Sequence, residues 1–168
     1  EAERFADGDD DMPALQRAGI SQDRRRHAGR QRRAQQGEIG VGIVAEDLRA
    51  AGVARVAACD VKLGTAAEGP LVAHAAAHGV RLVAAHARLA AESDFVLSAV
   101  TASQAVAVAE ACAPGLAPGT WFLDVNSASP GAKIGAARIV GAAGGRYVEG
   151  AVMTSVPPYR IRVPLLLG

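Results

Sequence analysis

Aromatic side chains are scarce in this sequence. They make up 4% of its 168 residues, although 50% of the residues are hydrophobic. A core of this composition has to consist mainly of Ala, Val, Leu and Ile, and such small side chains favour close packing of helices on a sheet. The length predicts a single domain with room for an extension.

Cysteine and long apolar runs are also lacking. Cys59 and Cys112 are the only cysteines, and their wide spacing excludes a disulfide framework or a zinc-binding motif, so two buried free thiols are predicted. No run reaches the ~18 apolar residues of a membrane-spanning helix. The acidic start has no apolar segment typical of a secretory signal. A cytoplasmic protein without membrane association is therefore expected.

Charge of one sign does not dominate, because the formal net charge is only +1. The charges are unevenly placed: residues 1–11 are acidic, and six arginines lie between Arg24 and Arg33. Residues 1–36 show little apolar periodicity and cannot bury enough surface to offset their ordering entropy. We therefore predict a disordered or atypical charged extension over 1–36 and a folded domain over 37–168.

From Gly37 onward, apolar segments alternate regularly between helical and strand patterns. Such alternation predicts right-handed crossovers and an α/β fold, a Rossmann-like doubly wound parallel sheet. Helices are predicted over Gly40–Ala51, Glu68–His78, Leu89–Glu92, Ser103–Ala113 and Pro130–Ala143, and strands over Val53–Asp60, Val80–Ala84, Asp94–Val100, Thr120–Asn126 and Arg146–Val152.

A glycine turn opens the first predicted helix and is a candidate phosphate-binding site. The free amides and partial positive charge of a helix N-terminus suit a pyrophosphate. The predicted cofactor-binding residues here are Gly37, Glu38, Ile39 and Gly40. Asp60, 20 residues beyond Gly40, is placed to accept hydrogen bonds from the ribose of NAD.

Two parts of the dinucleotide-binding pattern are missing. Gln35 stands where the first glycine belongs, and the preceding strand would be residues 31–36 (QRRAQQ), which hold no strand former. The first strand of the sheet is thus doubtful. The alternative interpretation is an ordinary glycine turn before a helix, with Asp60 capping a strand end.

The stretch from Asp124 to Pro130 (DVNSASP), with YVEGAVMTS at 147–155, resembles the β-hydroxyacid dehydrogenase superfamily. That superfamily includes 6-phosphogluconate and 3-hydroxyisobutyrate dehydrogenases. The sequence is most similar to 6-phosphogluconate dehydrogenase-like NAD(P)-binding domains. The resemblance runs from Gly37 to Gly168, and Val152–Leu167 is its most specific stretch.

The resemblance implies an oxidoreductase that transfers a hydride between NAD or NADP and a small hydroxy acid. It places Val100, Thr101 and Asn126 beside the cofactor. The implied substrate-binding residues are Ser127, Ser129, Thr154 and Ser155. Met153 stands where the family has a substrate-binding serine. For Ser127 and Ser129, capping of the helix that starts at Pro130 is an equally open role.

Catalysis by this chain alone is not expected from the resemblance. The family's catalytic lysine lies in a Lys-x-x-Asn pattern on a helix of the following domain, and neither Lys62 nor Lys133 fits that pattern. No catalytic residue is assigned, and the C-terminal helical domain is expected to be missing. Apolar surface that such a domain would cover favours association, so a homodimer is one expectation.

Three other interpretations follow from residues outside these motifs. The arginine-rich arm suggests a nucleic-acid-binding protein, although it has no interleaved aromatics; steeply salt-dependent DNA binding would support that function. Alternatively, residues 1–36 derive from a shifted reading frame that replaced the first strand. His74 and His78 share one helix face, but no third ligand is near in sequence, so no metal site is predicted.

Overall fold

The computed structural model describes residues 42–168, and all of them belong to one compact unit. Residues 31–36, where the doubtful first strand would lie, the glycine turn Gly37–Gly40 and the arginine-rich arm lie outside the described residues. The helices are α1 (42–50), α2 (Glu68–His78), α3 (His86–Ala91), α4 (Ala105–Cys112), α5 (Pro130–Ala142) and α6 (Val156–Tyr159). The strands are β1 (Ala57–Ala58), β2 (Arg81–Leu82), β3 (Phe95–Ser98), β4 (Trp121–Asp124), β5 (Arg146–Val152) and β6 (Leu165–Leu167).

Two groups of parallel strands confirm the Rossmann-like α/β fold predicted from the sequence. β1 pairs with β2, and β3, β4 and β5 pair in that order, all in parallel. A Rossmann sheet places its first strand centrally, between the two strands that correspond here to β1 and β3. The observed pairings therefore leave room for one more strand between β1 and β3.

A cavity of about 1050 Å³ lies at that place. It is lined largely by apolar side chains, which include Val44 and Leu48 of α1, Val56 beside β1, Val96 of β3 and Val108 of α4. Among residues 42–168, β1 pairs only with β2, and β3 only with β4. β1 and β3 therefore each have one edge without a pairing strand among the described residues, and this edge faces the apolar cavity.

The two strands of the β1–β2 pair are shorter than predicted. The predictions Val53–Asp60 and Val80–Ala84 correspond to strands of two residues each, Ala57–Ala58 and Arg81–Leu82. Their ladder consists of the pairs Ala57–Arg81 and Ala58–Leu82 alone.

The last strand differs from the all-parallel prediction. β6 runs antiparallel to β5, and Leu165, Leu166 and Leu167 pair with Val152, Ala151 and Gly150. The chain turns back through α6 and a 3₁₀ turn at Arg160–Arg162, a region rich in proline. An antiparallel edge strand on an otherwise parallel sheet is common in doubly wound folds, so the fold class stands.

The helices follow the predictions closely. α2 and β5 have the predicted limits, and α5 ends one residue early. α3 begins three residues before the predicted turn Leu89–Glu92, at His86. α4 is shorter than Ser103–Ala113 because 3₁₀ turns flank it at Ala102–Gln104 and Ala113–Gly115. None of the helices described here is long and apolar enough to cross a bilayer.

Two separate apolar cores stabilise the described chain. The larger contains Val96 of β3, Phe122 of β4, Ala109 and Cys112 of α4 and Val140 of α5. The smaller joins α1, α2 and the start of β2 through Ala45, Ala75 and Val80. Small residues allow the close packing that the composition predicts.

The two thiols differ in burial. Cys112 is buried as predicted, and desolvation raises the pKa of its thiol to about 11. Cys59 follows β1 and is only half-buried; burial and the neighbouring Asp60 raise its pKa. Thiolate formation at neutral pH is therefore disfavoured at both positions.

Replacing Phe122 by Ala tests whether the larger core carries the stability of the chain. Phe122 is 0% exposed, so Phe122→Ala is expected to lower the free energy of unfolding by about 3–5 kcal/mol. Urea unfolding followed by circular dichroism measures the change. Phe95→Ala is the matched control, because Phe95 is 55% exposed and its loss is expected to cost less than about 1 kcal/mol. Equal losses in both variants would contradict this assignment of the core.

Candidate functional site

The candidate site lies at the carboxyl ends of β3 and β4. Their register pairs Ser98 with Asp124, so the two strands end side by side. The segments that follow, Ala99–Thr101 and 125–129, leave the sheet at the same edge. Open α/β sheets bind ligands outside the carboxyl ends of their strands. The sequence-predicted residues Val100, Thr101, Asn126, Ser127 and Ser129 all belong to these two segments.

A buried carboxylate organises this edge. Asp124 is 1% exposed, and Lys133 Nζ lies 3.1 Å from its Oδ1. The hydroxyl of Tyr147 donates to its Oδ2 at 2.8 Å, and the amide of Asn126 donates to its Oδ1 at 2.9 Å. The lysine also donates to the Asp124 carbonyl at 2.9 Å. Because each charge has a partner and further hydrogen bonds, the buried ion pair is compensated.

Asn126 connects the two strand ends. Its Nδ2 donates to the Ser98 hydroxyl at 2.9 Å, and its Oδ1 accepts from the amide of Val100. The side chain is buried and is used to fix the loop after β3. Asn126, which was predicted to lie beside the cofactor, is 4% exposed and is hydrogen-bonded to Ser98 and to the amide of Val100, so it positions the loop after β3. Its contact with the cofactor stays a prediction.

Tyr147 joins this network from β5. Its ring stacks on Phe122 with centroids 6.2 Å apart and planes at 14°. Burial raises the pKa of the Tyr147 hydroxyl well above its ordinary value, and the hydrogen bond to Asp124 raises it further. The hydroxyl therefore keeps its proton and acts as a donor to the carboxylate.

The predicted substrate-binding residues occupy two exposed segments. Ser127 is exposed just after β4, and Thr154 and Ser155 are exposed just after β5. Ser129 is the N-cap of α5, and its hydroxyl accepts from the amide of Ala132 at 3.3 Å. Ser129 thus has the capping role that the sequence left open, and its exposure leaves a substrate contact open as well.

Asp60 lies in a turn two residues after β1. Its Oδ1 accepts from the amide of Lys62 at 2.9 Å, and its carbonyl accepts from Leu63 at 3.1 Å. The carboxylate is half-buried and its orientation is fixed by this turn. Capping and ribose binding are compatible, since a carboxylate has two oxygens and about four lone pairs.

Sequence reasoning missed Lys133 and Tyr147 as members of the site. A signal for Lys133 is present: it lies in the first turns of α5, after the N-cap Ser129. A cation is unfavourable at that end of a helix unless an anion faces it. The acid at the end of the preceding strand, Asp124, supplies that anion. Tyr147 gives no comparable signal, because its partner is fixed only by the register of β4 and β5.

No family model and no curated protein matches the sequence. A crystal structure of a conserved hypothetical protein from Sinorhizobium meliloti 1021 is 40% identical, with a TM-score of 0.72. The alignment covers 76% of this chain and 43% of that protein.

Mycobacterium tuberculosis 3-hydroxyisobutyrate dehydrogenase, described with L-serine, has a TM-score of 0.65 at 20% identity, over 76% of this chain and 42% of that enzyme. The chain shares the Rossmann-like fold of this enzyme. This likeness confirms the resemblance predicted from the sequence.

An imine reductase from Myxococcus stipitatus with NADP⁺ has a TM-score of 0.53 at 16% identity, over 70% of this chain and 38% of that one. The chain therefore spans less than half the length of each of these three proteins.

Replacing Lys133 tests whether its positive charge offsets the cost of burying the Asp124 carboxylate. Lys133→Met keeps the aliphatic stem and leaves a buried carboxylate without its cation, which is expected to cost about 3–5 kcal/mol of unfolding free energy. Chemical denaturation provides the measurement. Arg138→Met is the control, because Arg138 is exposed on the same helix and its change is expected to stay within about 0.5 kcal/mol. A loss as small in Lys133→Met would overturn the described role.

The raised pKa of Tyr147 gives stability a predictable dependence on pH. Above about pH 10 the unfolded chain loses the tyrosyl proton while the folded chain retains it, so the folded state is progressively destabilised as pH rises. Tyr147→Phe is expected to remove this part of the alkaline decline and to cost about 1 kcal/mol at pH 8 through the lost hydrogen bond. Denaturation curves from pH 8 to 11 measure both effects. Tyr159→Phe, at an exposed tyrosine, is expected to match the wild type, and parallel pH curves for all three chains would refute the account.

Proposed function

We propose that residues 37–168 are the nicotinamide-cofactor-binding domain of an oxidoreductase that transfers a hydride between NAD or NADP and a hydroxy acid. The observation that carries the proposal is the buried network around Asp124. It fixes the loops after β3 and β4 at the edge where Rossmann folds hold a dinucleotide. The hydroxyacid-dehydrogenase-type fold and the imine reductase described with NADP⁺ support the same class of cofactor.

The pyrophosphate half of the proposed site comes from the glycine turn and α1. Helix α1 is described from residue 42, directly after the predicted turn Gly37–Gly40. A turn of that kind lets backbone amides approach the phosphates, and the helix dipole favours their negative charge. Thr101 and Val100, held by Asn126, form the proposed wall along the nicotinamide half.

Asp60 is the proposed ribose ligand. It follows β1 as the acid of a dinucleotide site follows the second strand of a Rossmann fold. Because the Lys62 amide fixes one of its oxygens, the carboxylate has a defined orientation. A carboxylate accepts hydrogen bonds from the ribose hydroxyls of NAD and repels the 2′-phosphate of NADP. We therefore propose NAD as the preferred cofactor.

The proposed substrate-binding residues carry exposed hydroxyl groups. Ser127 follows β4, and Thr154 and Ser155 follow β5, the neighbouring strand. Hydroxyls and backbone amides of this kind suit the carboxylate of a small hydroxy acid. The family's catalytic lysine has no counterpart at Lys133, which is buried against Asp124. Cofactor binding is the activity proposed for residues 37–168.

The apolar cavity affects the expected affinity of the proposed site for its cofactor. The cavity lies where a Rossmann fold has its first strand. Residues 31–36 (QRRAQQ), which would supply that strand, carry polar and charged side chains. Burying such groups without partners costs free energy. An apolar strand ending in a glycine at position 35 would fill the cavity and complete the phosphate turn.

Nicotinamide binding, followed by NADH fluorescence at fixed salt, tests the proposal. The wild type is expected to bind NADH in preference to NADPH. Asp60→Ala is expected to lose NADH affinity by about ten- to a hundredfold, because a hydrogen bond to a charged group contributes about 1.5–3 kcal/mol. Glu110→Ala is the control, since Glu110 is exposed on α4. Folding of each variant is verified by circular dichroism.

A repaired chain sharpens the same experiment. The combined change Gln31→Val, Arg32→Ile, Arg33→Val and Gln35→Gly is expected to bind NADH at least about tenfold more tightly, because each buried apolar side chain contributes about 1.5–3 kcal/mol to the folded site. The combined change Gln22→Val, Arg24→Ile and Arg25→Val removes the same charge outside the predicted strand. If neither the wild type nor the repaired chain binds either cofactor while folded, the proposed function is wrong.

A further inference from the structure

Helices α1 and α2 approach each other closely, away from the site at β3 and β4. A Cβ atom added at Gly42 would lie 3.3 Å from Nε2 of His74, so the glycine is what permits the approach. Nε2 of His74 lies 3.2 Å from the Gly42 carbonyl oxygen. One turn further along both helices, Nε2 of His78 lies 3.8 Å from Oε2 of Glu46.

Three metal-binding side chains converge at this crossing. Glu46, His74 and His78 each offer a ligand atom, and these atoms all lie within 4.8 Å of one another. We propose that these three residues bind a divalent transition-metal ion such as Zn²⁺. Two imidazole nitrogens and one carboxylate oxygen are ligands that Zn²⁺ takes at about 2.0–2.2 Å. The inference does not depend on the proposed cofactor-binding function.

The geometry needs only small side-chain movements. Ligand atoms around a tetrahedral Zn²⁺ ion are about 3.4 Å apart, given bonds of about 2.0–2.2 Å. His74 and His78 are one turn apart on the same face of α2, with ring centroids separated by 4.5 Å. Glu46 approaches from the other helix. Rotations of the side chains are sufficient to close the cluster around an ion while both helices stay in place.

The carboxylate already has an outer partner on its other oxygen. Nη2 of Arg160 lies 2.8 Å from Oε1 of Glu46, and the same nitrogen also contacts Oδ1 of Asp47. Outer-shell partners of this kind orient metal ligands. All three ligand residues are half-buried, which leaves a fourth position open to water.

The sequence alone did not predict this site, because its third ligand is distant. His74 and His78 show the spacing of a helical metal pair, whereas Glu46 lies on a different helix. Only the crossing of α1 and α2 at Gly42 brings it near. The sequence predicted no metal site at the two histidines, and the proposal departs from that prediction because Glu46 is near in space.

Zinc titration of the untagged, chelator-treated full chain tests the proposal. Isothermal titration calorimetry with Zn²⁺ is expected to show one ion per chain at micromolar affinity. His74→Gln, His78→Gln and Glu46→Gln are each expected to weaken binding at least about tenfold, since loss of even an outer-shell partner costs about 10–100-fold. Co²⁺ absorption, with the same three variants, identifies nitrogen and oxygen ligation independently.

Two control variants separate this cluster from other zinc ligands. His86→Gln removes a half-buried histidine of α3, and Cys59→Ser removes the half-buried thiol; both are expected to bind Zn²⁺ like the wild type. Circular dichroism verifies that each variant is folded. The proposal is overturned if the folded wild type binds no Zn²⁺, or if the three ligand variants bind it as tightly as the two controls.

Discussion

The buried carboxylate of Asp124 is the constraint on which the described edge of this sheet depends. A carboxylate removed from water is costly unless it is paired and hydrogen-bonded. Here the compensation comes from three elements: Lys133 of α5, Tyr147 of β5 and the amide of Asn126 after β4. Satisfying one charge therefore fixes how a helix, a strand and a loop meet. Asn126 then transmits this order to the loop after β3 through Ser98 and Val100.

Much of the architecture could be predicted because the limits of helices and strands depend on residues that are close in the sequence. α2 and β5 have the limits that apolar periodicity and flanking glycines indicate, and Gly79 adopts the left-handed conformation expected of a helix C-cap. The parallel order of β3, β4 and β5 follows from alternating strands and helices. Strand limits near the cavity were wrong, because ladder length depends on partners that a single segment of sequence does not reveal.

The site was predictable only in part, for a related reason. Strand ends and helix starts can be located from the sequence, so Val100 and Asn126 were correctly placed after strands and Ser129 at the start of α5. Side-chain partners across the sheet depend on register: Asp124 reaches Tyr147 because β4 and β5 pair residue by residue. Glu46 meets His74 and His78 only through the crossing angle of two helices. β6 joins the sheet antiparallel to β5. This direction depends on the turn between the two strands, and its prolines, Pro157, Pro158 and Pro164, do not predict the geometry of that turn.

The separation of the two cores has a consequence for how the molecule opens. The core around Phe122 and Val140 packs β3, β4, α4 and α5 together, whereas Ala45, Ala75 and Val80 hold α1 and α2 in a smaller group. Units with separate apolar contacts unfold locally with different free energies. Amide protons of the two-residue ladder β1–β2 should therefore exchange with solvent through partial openings that leave β3–β4 intact. A ligand bound at Asp60, which directly follows this ladder, would slow that exchange first.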